Sequence, residues 1–84
     1  MMTDTRIPLI RSQLEAALSP TYLEVIDEGW QHVGHAEEGA GHFAVRIASP
    51  QFAGKSPVEC HRKIYAALGD AMRNKIHALR IEIL

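Results

Sequence analysis

Residues 42–68 read HFAVRIASPQFAGKSPVECHRKIYAAL, and two different periods meet inside this stretch. In its first seven residues Phe43, Val45 and Ile47 alternate with His42, Ala44, Arg46 and Ala48. Alternation sends every second side chain to one side of a strand, so 42–48 is expected as a strand that buries Phe43, Val45 and Ile47. Residues 50–55 form a connector. Ser56-Pro57-Val58-Glu59 then opens a helix. The Ser56 hydroxyl can accept from the Glu59 N–H while the Glu59 carboxylate reaches back, and proline is tolerated at the first helical position. Val58, His61, Tyr65, Leu68 and Met72 follow at helical spacing and are expected to form the apolar stripe. Gly69 should break or bend this helix, leaving a short second piece to about residue 74.

Working outward, residues 5–18 carry Ile7, Ile10, Leu14, Ala17 and Leu18 along one helical face. Asp4 or Thr5 can cap the start, Pro8 falls in the first turn, and Ser19-Pro20 ends the helix. Residues 22–28 read as a strand with Leu23 and Val25 on one face and Glu24 and Glu28 on the other. A glycine-containing loop fills 29–41. Residues 78–84 read as a third strand with Leu79, Ile81 and Ile83 inward. The order helix, strand, strand, helix, short helix, strand predicts an α+β fold. The first two strands pair antiparallel, the third returns parallel through a helical crossover, and helices cover one face of a three-stranded mixed sheet. Phe43, Val45, Val58, Tyr65, Leu68, Leu79 and Ile81 are the expected core.

The chain has 84 residues, enough for one domain with a modest core. Apolar residues at 46% and charged residues at 23% are ordinary globular usage and argue against disorder. No apolar run approaches the roughly 20 residues of a membrane span. Met1-Met2-Thr3-Asp4 shows no basic segment followed by an apolar one, so no secretory signal is expected. A single cysteine, Cys60, favours a reducing, cytoplasmic compartment over a disulfide-stapled secreted domain. Charge is uneven: residues 55–84 hold six basic groups against three acidic ones, while 1–54 hold three against seven. Such a basic half fits either a nucleic-acid surface or a solvated helix face.

No phosphate-binding glycine loop and no nucleophile elbow occurs. Cys60 neighbours His61, but adjacent helical residues point about 100° apart, so a packed cysteine is favoured over a catalytic pair. The five histidines are the unusual feature: His32, His35, His42, His61 and His77. His61 lies on the expected apolar stripe, where a buried, hydrogen-bonded role is favoured. His42 opens a strand and should face away from the core. His32-x-x-His35 in the loop reads either as metal ligands or as solvated loop residues. His77 stands just before the last strand, where a stiff backbone would hold an imidazole well.

Several segments, in order and spacing, resemble the BolA family across nearly the whole chain. They are 23–28 (LEVIDE), 41–47 (GHFAVRI) with Ser49, 52–56 (FAGKS), 61–65 (HRKIY) and 76–79 (IHAL). The resemblance implies the αββαβ fold of that family, akin to a class II KH domain. It also implies a non-enzymatic iron–sulfur adaptor that pairs with a monothiol, CGFS-type glutaredoxin carrying glutathione and shares a [2Fe–2S] cluster with it. His77 matches the ligand histidine near the last strand. His32 best matches the ligand of the first strand–strand loop, and His35 is a substitute for it. Gly29 and Cys60 depart from the residues common at their positions. The alternative implied by the resemblance is a DNA-binding transcriptional regulator, although no Gly-x-x-Gly backbone clamp of the KH type occurs here. Alone, the chain is expected as a monomer or weak homodimer without membrane attachment.

Replacing Ser56 by alanine removes the predicted cap. Unfolding free energy should fall by about 0.5–2 kcal/mol. An unchanged denaturation midpoint would mean that no helix starts there.

Overall fold

The computed structural model describes residues 6–28 and 41–84. Its elements are helix α1 (Arg6–Leu18), strands β1 (Tyr22–Asp27) and β2 (His42–Ala48), a 3₁₀ turn at Pro50–Phe52, helices α2 (Pro57–Leu68) and α3 (Ala71–Asn74), and strand β3 (Ala78–Ile83). The sheet order is β1-β2-β3. β1 runs antiparallel to β2, with Val25 opposite Val45. β3 runs parallel to β2, with His42 opposite Ala78 and Val45 opposite Ile81. Fold class, strand positions and strand directions agree with the sequence reading.

This register sorts the side chains. Phe43, Val45 and Ile47 are buried under the helices, flanked by the half-buried Leu23, Val25, Leu79, Ile81 and Ile83. From α1 come Ile10, Leu14 and Leu18, all buried, whereas Ala17 is exposed. The connector contributes more than chain length, because Phe52 tucks into the core from the 3₁₀ turn. On the sheet's other face Arg46 bridges Glu24 and Glu82, one on each neighbouring strand, at 3.0 Å each.

Helix α2 begins as its sequence predicts. Glu59 N–H donates to the Ser56 hydroxyl at 3.2 Å, and Ser56 N–H donates to the Glu59 carboxylate at 3.0 Å. It ends at Gly69, whose φ of 53° is a conformation that glycine takes without steric cost.

The buried face of α2 differs from the expected one. Cys60, Ile64 and Leu68 are buried, and Ala71 of α3 continues the same core. Val58 is 58% exposed and Tyr65 42% exposed. His61 is only half-buried, with its ring edge-on to Tyr65. The stripe is therefore turned by about one residue, or about 100°, from the reading that weighted Val58, Tyr65 and Met72. The i, i+4, i+8 row of Cys60, Ile64 and Leu68 meets α1. Only Leu68 belongs to both rows.

Two variants separate these faces. Ile64→Ala should cost about 2–5 kcal/mol, as buried large-to-small changes do. Tyr65→Ala should stay within about 1 kcal/mol, since Tyr65 lies off the buried row of α2. Denaturant unfolding in which Tyr65→Ala is the more damaging change would contradict the observed packing.

Candidate metal-ligand site at one end of the sheet

The start of β2 and the start of β3 lie side by side, and the site is built on their junction. Gly41 precedes β2 with φ 99°. Its carbonyl accepts the His77 N–H at 2.8 Å and the Ala78 N–H at 3.2 Å. A Cβ added at Gly41 would sit 2.5 Å from the Lys75 carbonyl oxygen and 3.2 Å from the His77 nitrogen. Both the dihedral angle and the space therefore demand glycine. This close approach fixes the His77 backbone on β2 while its side chain remains exposed.

Opposite stands β1. Glu28 N–H donates to the His42 carbonyl at 2.7 Å. The Glu28 carboxylate, with its side chain 14% exposed, receives Arg80 of β3 at 2.6 Å. The Arg80 hydrogen bond holds Glu28 below the usual carboxylate range; the charges of Arg80 and, to a smaller degree, His42 act in the same sense, while desolvation opposes them. The two flanks of segment 29–40, Glu28 and Gly41, are thus both anchored at the end of the sheet where His77 stands. His32 and His35 belong to that segment and lie outside the described residues.

The His42 and His77 rings are in contact, with centroids 4.9 Å apart and planes tilted by 45°. His42 alternates with Phe43 and so lies on the face away from the core, as its position in the strand predicts. The sequence reading treated the two histidines separately and missed this contact. The signal was available in the parallel pairing, because aligned strand starts put residues 42 and 78 side by side. A polar cleft of about 320 Å³ opens beside His77, lined by Met72, Arg73, Asn74, Lys75, Ile76 and His77. Arg73 is bound by Asp70, the residue that precedes α3.

Neutral imidazole is a good ligand for iron, zinc and copper. The exposed His77 ring fits that use. Among the described residues no group of three or more His, Cys, Asp or Glu side chains converges on one point. Cys60 is only 3% exposed and packs in the core with Ile64 and Leu68, away from this junction. The described residues therefore offer an accessible imidazole but no accessible thiolate.

The family model described as BolA-like protein matches residues 14–84. SufE-like protein 1, chloroplastic/mitochondrial, of Arabidopsis thaliana is 46% identical over 79 residues, which cover 86% of this chain and 21% of that protein. BolA-like protein 1 of Pongo abelii is 43% identical over 75 residues, covering 87% of this chain and 53% of the relative. The DNA-binding transcriptional regulator BolA of Escherichia coli is 36% identical over 72 residues, covering 86% of this chain and 68% of the relative. The chain thus spans about a fifth of the first relative and about half of the second. Among solved structures, the BolA domain of SufE1 from Arabidopsis thaliana superposes with a TM-score of 0.85 at 43% identity, covering 98% of this chain and 93% of that one. With the family model matched over most of its length and the same fold found in a BolA domain, the chain belongs to the BolA family.

Proposed function

We propose that the chain is a non-enzymatic adaptor that pairs with a monothiol, CGFS-type glutaredoxin and co-ligates a [2Fe–2S] cluster carried by that partner and its glutathione. His77 supplies one imidazole from this chain. His32 supplies the second, and His35 can take its place. The observation that carries this reading is an exposed imidazole on a backbone pinned to the middle strand, beside the anchored flanks of the segment that holds the other two histidines. Burial of Cys60 adds to it, because thiolates must then come from the partner. A reducing, cytoplasmic compartment suits such a cluster. The role is iron–sulfur trafficking or iron sensing.

The Escherichia coli relative's name favours a second reading, DNA binding in transcription regulation. The basic C-terminal part supports it less than its count suggests. Arg73 is taken up by Asp70 and Arg80 by Glu28, and of the other basic groups in 55–84 Lys55, Arg62 and Lys75 are exposed while Lys63 is half-buried. Binding of this kind would weaken steeply with salt.

The test is to mix the protein with cluster-loaded monothiol glutaredoxin and record visible absorption and circular dichroism. A changed [2Fe–2S] spectrum on a one-to-one heterodimer is expected. His77→Ala should abolish that change with little loss of stability, since no core side chain is removed. His32→Ala should weaken cluster binding less, and His35→Ala least. His61→Ala should leave the spectrum intact and, being half-buried, should cost little stability. An unchanged spectrum with the His77 variant would refute the ligand assignment, and salt-sensitive duplex binding without any cluster effect would favour the regulator.

A further inference from the structure

The Gly41–His77 hydrogen bond fixes a backbone, not a ring. An exposed imidazole still turns about two side-chain bonds, and a ligand that must meet a partner's metal centre benefits from being held in one direction. Among the described residues the ring contact to His77 comes from His42, at 4.9 Å between centroids.

His42 is well placed to hold another ring. It lies in the middle strand, paired on both sides: its carbonyl accepts the Glu28 N–H at 2.7 Å, and it faces Ala78 across the parallel ladder. The small Ala78 side chain leaves the His42 ring room beside the strand start. Gly41, immediately before it, approaches Lys75 so closely that a Cβ there would sit 2.5 Å from the Lys75 carbonyl oxygen. Glu28, just past β1, lies close enough to His42 for the two charges to interact, and it is joined in turn to Arg80 of β3 at 2.6 Å. Arg80, Glu28, His42 and His77 therefore form a continuous series across the end of the sheet.

We propose that His42 is a positioning residue for His77, its strand-anchored ring keeping the His77 imidazole in a single outward orientation. The inference rests on the adaptor reading for its purpose, but the orientation itself belongs to the isolated chain. Groups that touch a metal ligand without binding the metal commonly change metal affinity by about 10–100-fold when removed, and His42 is such a group here.

Two measurements test it. In the isolated, isotope-labelled protein, NMR should show ring-to-ring Overhauser contacts between His42 and His77, and one side-chain rotamer for His77. His42→Ala should leave the fold intact and the His77 ring averaged over rotamers. His42→Phe, which keeps a flat ring but cannot ligate a metal, should restore the single rotamer. With the cluster-loaded glutaredoxin, His42→Ala should weaken cluster sharing about tenfold, and His42→Phe should recover most of that loss. A His77 ring equally ordered in His42→Ala would overturn the proposal. So would a His42→Phe variant as defective toward the cluster as His77→Ala, which would make His42 a ligand. If the wild-type chain shares no cluster while the rotamer response occurs as described, the positioning role stands and the adaptor reading fails.

Discussion

The contact on which this structure turns is the approach of Gly41 to the turn between α3 and β3. Two peptide N–H groups, of His77 and Ala78, converge on the Gly41 carbonyl, and the space a side chain would need is already filled by the Lys75 carbonyl. A parallel strand pair cannot be closed by a hairpin; it needs a long crossover, here the whole of α2 and α3. The Gly41 junction is where that crossover ends and the ladder begins. It sets the register that places Phe43 opposite Leu79 and Val45 opposite Ile81, and so decides which side of β3 faces the helices. The same bonds bring His77 to the sheet edge. Closing the crossover and presenting the His77 imidazole are thus one geometric event.

Much of this was legible in advance. Alternation in 42–48 and 78–84 was readable because the bulky apolar side chains of both strands fall on the helix-covered face, although Ala44 on the other face is buried as well. The capping box at Ser56 was equally clear, since its chemistry is local and depends on residues three apart. What escaped was the face of α2. Val58, Tyr65 and Met72 make a plausible stripe, yet the helix turns Cys60, Ile64 and Leu68 inward. Periodicity alone could not separate two rows offset by one residue that share Leu68. The difference lies in which row matches the Ile10, Leu14 and Leu18 ridge of α1, a tertiary fact. Phe52 was missed for a related reason: a residue in a connector carries no period, and only the 3₁₀ turn reveals that it points inward.

The site shows the same division. His77 could be placed because it abuts a strand, and strands are readable. Its contact with His42 was harder to see, because it follows only once strands 36 positions apart in sequence are aligned start to start. Ion pairs behave likewise. Glu28 and Arg80 are ordinary charges in the sequence and become neighbours only when β1 and β3 flank the same middle strand.

Placing the accessible imidazole outside the core has an energetic consequence. Phe43, Ile10, Leu14, Ile47 and Ile64 carry the packing, and none of them lies on the exposed side of the Gly41 junction. His77 therefore contributes little burial to folding, and changes at its ring leave the core packing untouched. The opposite choice was made for Cys60, which is buried as a small apolar side chain and withheld from metal chemistry. A chain arranged in this way offers nitrogen ligands and keeps its sulfur out of reach. On the adaptor reading proposed above, a thiolate-bound cluster would meet this chain at its exposed imidazole, and the thiolates would stay with the partner that brought them. On that reading, selectivity for a shared centre over a self-contained one would follow from burial as much as from ligand type.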